Sequence, residues 1–532
     1  MFAIRSRGFS LEAHKQMSVK NSKSSAVLIF VFAAIFAVAI GFAAFSNSAF
    51  SAPPDPDDGT MPALSAIAGQ AMMNIHAYSE LEYLSDDIGA RVTGSPQCNA
   101  AIQWGVDTMK KIGLQNVHAE PWQIFRGWTR VSASAKIISP APHPLMIDAM
   151  GWVGSTPAGG VDADVVPVNV YDLDDEIAEN SGNWRGKVLL AVQKGVRPAS
   201  GMAAFAKFGN MLVKAHDAGA VAVIGGQAGA KSQGMHLTHT GALGFNTYFD
   251  IPVVSIAAED QGIIERLLDR GKTVRIHIDV QNKVTDGPVD TANVVGDIPG
   301  TQNPEQVIVV GGHLDSWDLS EGSTDDGVGV ATTLGAAEAI VRSGIKPLRT
   351  IRFVLFTGEE EGLLGSFAYT KTHKDDMKDH VAAVILDNGQ GPVTALNMGG
   401  RTDTVPAAQA FAATLNAFGP ITANDNTDFG VDAGPFILAG LPGINLDQDS
   451  PDYRYTHHSP VDSFDKVDEA VLDRDAAVQA LVAFWIADRP ERLASPWPPE
   501  KSAQMLVDKH DDVFLKLFGI WPFGNMGQQP QQ

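Results

Sequence analysis

Between Gly311 and Gly329 the chain reads GGHLDSWDLSEGSTDDGVG, a run that holds a histidine, a nearby aspartate and an acidic pair. His313, Asp315, Asp325 and Asp326 follow an apolar run, Gln306 to Val310, that reads as a strand. They precede a segment with apolar residues at Val330, Leu334, Ala337 and Val341 that reads as a helix. The loop between His313 and Asp325 is long enough to fold both side chains onto one ion. Asp315 stands two residues after His313, so in an extended chain the two face the same way. It is placed to accept the second ring N–H of a metal-bound imidazole, which fixes the tautomer and raises ligand basicity.

Three further groups follow the same logic. Thr357-Gly358-Glu359-Glu360-Glu361-Gly362 comes directly after the apolar strand Thr350 to Phe356, where successive side chains point to opposite sides. One glutamate can therefore bind metal while its neighbour takes a proton from water. Asp387 ends the apolar run Ala382 to Leu386. Tyr455-Thr456-His457-His458-Ser459 lies shortly before Asp462. Singly, each has an ordinary reading as a turn former, a solvated acidic face or a surface histidine. In this order they supply enough nitrogen and oxygen ligands for two zinc-like ions, with a carboxylate left over. His236 and His239 lack acidic strand-end partners and read as structural. No phosphate-binding loop, nucleotide-binding glycine fingerprint or nucleophile elbow is present.

These ligands require a sheet whose strands end on one side. From Thr291 to Arg489 apolar strands alternate with longer helices, which implies an α/β sheet flanked by helices, and such sheets build their sites at strand ends. Earlier in the chain, Met61 to Tyr83 reads as helical. A second helix carries Ile102, Val106 and Met109 on one face and stops at Gly113. Between them and the sheet, Val161 to Val280 shows short β-branched runs at Val188 to Val192, Ala220 to Ile224, Val253 to Ile256 and Thr273 to Val280, with one helix near Met202 to Ala218. The expected organisation is a signal or anchor at 1–52, a first catalytic part at 60–128, an inserted β-rich domain at 129–288, a second catalytic part at 289–490 and a tail at 491–532. Within that tail one helix, Lys501 to Leu517, is expected.

Composition narrows the chemistry. Acidic residues outnumber basic ones by 61 to 39, which argues against nucleic acid or anionic membrane surfaces as partners. A single cysteine, Cys98, excludes an internal disulfide framework and a cysteine-based zinc site, so any transition metal must use His, Asp and Glu. No base stands near Cys98 in sequence, and it reads as a buried neutral thiol. Ala26 to Phe45 is a continuous apolar run preceded by Lys20 and Lys23, and Ala49-Phe50-Ser51 fits a processing site. This is an export signal that places the protein in a periplasm or outside the cell. If uncleaved, the run is long enough to anchor the chain in a membrane. Met17 is an alternative start.

GGHLDSWD, STDDGVG, GEEEG and HHSPVDSFDKVD together resemble the co-catalytic dizinc exopeptidases, in the branch containing carboxypeptidase Q with an inserted protease-associated domain. Gly186-Lys187-Val188, His239-Thr240-Gly241 and Ile251-Pro252 resemble that inserted domain, and the likeness runs from about Ile75 to Val467. The resemblance implies two zinc ions per chain. His313 and Asp387 would hold one, Glu360 and His458 the other, and Asp325 would bridge them across a cis Asp325–Asp326 peptide. His458 is preferred over His457 by its distance from Asp462. Glu359 would be the general base acting on short peptides under a roof formed by the inserted domain. A homodimer is a possible assembly. A single-zinc glutaminyl cyclase-type acyltransferase and a metal-free binding protein on the same fold are the alternatives. Arg91, Arg401 and Arg454 are candidates for holding a substrate carboxylate.

Overall fold

The runs Val307–Val310, Ile351–Phe356 and Val381–Ile385 are apolar at almost every position and buried on both faces, the pattern of parallel strands covered by helices on each side. The computed structural model describes residues 60–195, 201–225 and 235–524, and these fall in one compact unit. The apolar run Ala26 to Phe45 and its processing motif lie outside the described residues. Among the described residues no helix is long and apolar enough to cross a membrane.

The fold is mixed α/β. One eight-stranded sheet runs in the order Gln115–Ile124, Val289–Ile298, Arg349–Phe356, Asn303–His313, His380–Ile385, Gly443–Gln448, Val393–Asn397 and Thr422–Asn424. Its four middle strands, from Arg349–Phe356 to Gly443–Gln448, are parallel, with His313 opposite Phe356 and Gly311 opposite Ile385. Their carboxyl ends therefore stop side by side. Helices Thr60–Asn74, Val328–Ser343 and Glu469–Ala487 pack together over one face. Tyr369 and Phe436, from Leu364–Thr372 and Gly434–Leu438, close the other against Val309, Val354 and Phe356.

The helix ends follow their residues. Ser95 caps Pro96–Ile112 by accepting from the Cys98 N–H, and Gly113, at φ 100°, ends it in the left-handed conformation. Asp468 accepts from Ala470 and Val471 to start Glu469–Ala487. The tail departs from expectation. It forms two helices, Pro499–Asp508 and Asp511–Leu517, because His510 between them takes φ 65° and turns the chain.

A second eight-stranded sheet is built wholly from residues 128–284, between two neighbouring strands of the first. Its order is His143–Leu145, Trp128–Ser139, Arg275–Val284, Val161–Asn169, Val188–Val192, Ala222–Ile224, Val253–Ile256 and Ile147–Ala149. Two of its helices are Gly201–Ala218 and Ala258–Asp269, the latter unforeseen in the sequence. A tryptophan cluster joins this sheet to the first: Trp128 and Trp152 stack with centroids 5.6 Å apart, and Trp317 meets both edge-on.

Two glycines should respond in opposite ways to an added methyl group. Gly69 is exposed within a helix and a Cβ there would meet nothing within 4 Å, so Gly69→Ala should stabilise by about 0.5–1 kcal/mol. At Gly329 the same atom would run into the Asp326 carboxylate and the Leu386 carbonyl. Gly329→Ala should cost about 1–3 kcal/mol. Urea midpoints check both, and a neutral Gly329→Ala would contradict the packing described for this turn.

Candidate metal centre

Three of the five expected ligands, His313, Glu360 and Asp387, sit where a parallel strand stops. His313 is the last residue of Asn303–His313, Glu359 and Glu360 follow Arg349–Phe356 by a two-residue turn, and Asp387 follows His380–Ile385. His458 arrives from the far side, after the short helix Tyr453–Thr456, and itself takes φ 59°. Asp325 lies on the loop leading into Val328–Ser343, and the Asp325–Asp326 peptide is cis. That loop is tied down from two sides. The Asp462 carboxylate accepts from Thr324 N and Oγ1, both at 2.7 Å, and from Asp325 N at 3.2 Å. The Asp326 carboxylate accepts from His313 N at 3.1 Å and Gly329 N at 2.9 Å, joining strand end to helix start.

The side chains converge on Asp325. Its Oδ1 lies 3.3 Å from His313 Nε2 and its Oδ2 lies 3.3 Å from His458 Nε2. Asp387 Oδ1 is 3.7 Å from His313 Nε2, and Glu360 Oε2 is 2.9 Å from His458 Nε2. Glu359 Oε2 stands 4.0 Å from His313 Nε2. His313, Asp325 and Asp387 bring one ligand atom each within 4.8 Å of one another, and so do Asp325, His457 and His458. The His457 ring stacks on His458 with centroids 3.7 Å apart, so the histidine left without a role in the sequence shares the same corner.

Two expectations need correction. The Asp315 carboxylate does not take the His313 ring N–H. Nδ1 donates instead to the Asp315 backbone carbonyl at 3.0 Å, while the carboxylate oxygen stays 3.6 Å away. The strand stops at His313, and beyond it the Asp315 carboxylate accepts from the Thr93 hydroxyl at 2.8 Å and from the Glu359 N–H at 3.3 Å. Asp315 thus steadies the backbone of the proposed base. Of the cations, Arg91 is fully buried and donates to the carbonyls of Gly89, Leu314, Glu321 and Gly322. Arg401 is likewise spent on Asp403 and the carbonyls of Gly440 and Ser495. Arg454 remains, exposed and 4.5 Å above the Tyr455 ring.

Charge in this pocket is lopsided. Burial pushes Glu359 well above the ordinary carboxylate range, and Glu360, Asp432 and Asp315 add to that against the opposing His313. Burial likewise raises Asp387, Glu360 and Glu361, and carries Asp432 and Asp462 up to about 7. Asp325 goes the other way. Burial opposes its ionisation, but the close approach of His313 and the charges of His458 and His457 carry it below the usual range. His313 is buried, which lowers its basicity, yet Asp387, Asp315, Asp325 and Glu359 lift it well above an ordinary histidine. His313 Nε2, Asp325 Oδ2 and Glu360 Oε1 are buried and make no hydrogen bond. Buried polar atoms are rarely left so, and an aggregate of carboxylates and imidazole nitrogens aimed at a common point fits a divalent cation.

The sequence reading missed two contributors. Trp317 donates its indole N–H to Glu360 Oε2 at 2.5 Å, and Thr240, from the second sheet's loop, accepts from His458 Nδ1 through its carbonyl at 3.1 Å. The two-residue spacing of His313, Asp315 and Trp317 is the one signal for the first. Nothing local marks the second.

Residues 293–483 match the model of Peptidase family M28. Carboxypeptidase Q from Mus musculus is 32% identical over 424 residues, covering 78% of this chain and 87% of that protein. The chain belongs to peptidase family M28. It is therefore a metallopeptidase, and so a hydrolase. A peptidase M28 precursor from Shewanella amazonensis SB2B is similar in structure, with a TM-score of 0.74 at 29% identity over 82% of this chain and 99% of that one. A zinc aminopeptidase from Bacillus subtilis shares the fold, with a TM-score of 0.59 at 20% identity over 79% of this chain and 97% of that one.

The corner shared by His457 and His458 yields a test. His458→Phe should lower metal content, whereas His457→Phe should leave it unchanged, as measured by elemental analysis of purified protein. Loss of metal from His457→Phe would put that ring in the coordination shell.

Proposed function

We propose that this chain is an exported exopeptidase that uses two zinc ions to hydrolyse a terminal peptide bond of short peptides or dipeptides. The observation that carries this reading is Asp325, whose two carboxylate oxygens each face a different imidazole at 3.3 Å. A carboxylate so placed can be shared by two cations. His313 and Asp387 would then hold one ion, Glu360 and His458 the other. Bound zinc lowers the pKa of a coordinated water and polarises the carbonyl of the scissile bond.

The chain's own residues supply the proton chemistry. Glu359 overlooks the space beside His313 while Glu360, the next residue, turns to His458. Glu359 would take a proton from the attacking water and deliver it to the leaving amine. Asp315 holds the Glu359 backbone, so the carboxylate keeps its aim through the proton transfer. Export rests on the Lys-flanked apolar run Ala26 to Phe45 and its processing motif. The acidic balance speaks against nucleic acid as a partner.

Glu359→Gln should lower turnover 10²- to 10⁴-fold with both zinc ions retained, since a general base is worth that much. Glu360→Gln should instead release one ion. The opposite stoichiometry would reverse the two roles, and an active Glu359→Gln would end the hydrolytic mechanism.

Arg454 gives a handle on which peptide terminus is read. It is the one candidate cation whose guanidinium makes no hydrogen bond among the described residues, and it lies four residues before His458. We expect Arg454→Gln to raise KM for free dipeptides and leave C-amidated ones unaffected. Equal effects on both would remove Arg454 from carboxylate recognition.

A further inference from the structure

We propose that the second sheet is part of the metal centre: through His239, Thr240 and the tryptophan cluster it positions both ligands of the Glu360–His458 side and leaves the His313–Asp387 side alone. This rests on the two-ion reading above.

His458 is gripped by a dipeptide from the second sheet's loop. Its Nδ1 faces the Thr240 carbonyl at 3.1 Å, its own carbonyl accepts from Thr240 N at 2.8 Å, and the neighbouring His457 carbonyl accepts from His239 Nδ1 at 2.8 Å. A carbonyl only accepts, so the His458 proton must sit on Nδ1 and the lone pair on Nε2, the atom facing Asp325 and Glu360. The same bonds hold His458 at φ 59°, a conformation that side chains other than glycine seldom adopt. Thr240 is itself fixed. Its hydroxyl donates to the Ala149 carbonyl at 3.1 Å and accepts from Arg130 at 3.1 Å, and Arg130 forks onto Asp318 at 2.7 and 3.0 Å.

Glu360 is reached by a second route. Trp317 donates to its Oε2, and the indole meets edge-on the stacked pair of Trp128, on a strand of the second sheet, and Trp152, just after another, at 6.2 and 6.0 Å. Gly151, beside Trp152, has no room for a side chain because a Cβ would enter the Trp317 ring. The other half of the centre is held from within the first sheet. His313 bonds the carbonyl of Asp315 and the carboxylate of Asp326, and Asp387 hangs from a central strand. The two halves therefore differ in what supports them, although one carboxylate joins them.

Outer partners of metal ligands are worth roughly 10- to 100-fold in metal affinity. The test is a chelator titration of full-length zinc-loaded protein, reading zinc per chain for wild type, His239→Ala, His239→Asn and Trp317→Phe. In His239→Ala and in Trp317→Phe one ion should leave at roughly 10- to 100-fold lower chelator strength while the second leaves as in wild type. His239→Asn should restore the wild-type curve, because its amide N–H can replace Nδ1–H. If these contacts are only packing between layers, both ions shift together with the melting temperature, or neither shifts, and the proposal falls. A wild type that holds fewer than two ions overturns the two-ion reading, and this one with it.

Discussion

The structure depends on gathering many carboxylates in one buried place. Asp325, Asp326, Glu360, Glu361, Asp387, Asp432 and Asp462 are all buried around two imidazoles; burial favours the proton on every one of these acids, and only at Asp325 do the neighbouring imidazoles outweigh it. Desolvated like charges cannot share such a site without compensation. Arg91 supplies some, since Asp462, Asp315 and Asp326 all feel its buried guanidinium. The remainder calls for cations at the point where Asp325, His313 and His458 converge. Family membership as an M28 peptidase and this charge imbalance lead to the same expectation from independent directions.

The scaffold is arranged to make that concentration affordable. Parallel strands bring His313, Glu359, Glu360 and Asp387 to one edge in register, and glycines at 312 and 329 let backbone pass where a Cβ would strike Asp326 or the Gly329 backbone. Asp462 and Asp326 then hold the backbone around the Asp325 carboxylate rather than the carboxylate itself. Asp325 is left with both oxygens facing the imidazoles. The pocket's negative charge thus divides into carboxylates that brace the loop and carboxylates that face the cation site.

Much of this was legible in the sequence, and the physical reasons are specific. A strand buried on both faces writes itself as a continuous apolar run, so the residue after it is known, and His313, Glu359, Glu360 and Asp387 could be placed from their neighbours alone. Gln115–Ile124 was invisible for the converse reason. It is an edge strand with Pro121 in it and mostly exposed side chains, so it shows no apolar period. The contacts from Thr240 and His239 to the histidine pair span 218 residues and run mostly through backbone groups, which leave no mark on side-chain type. Asp315 failed differently. The strand that would have set both side chains on one face ends at His313, and the carboxylate meets the Thr93 hydroxyl and the Glu359 N–H instead.

The account turns on Asp325 serving two ions at once. Anomalous diffraction at the zinc edge, from crystals of the zinc-loaded protein, measures this directly. The structure predicts two peaks, one on each side of the Asp325 carboxylate and about 3.5–4 Å apart. A single peak, or a pair that does not flank Asp325, would contradict it.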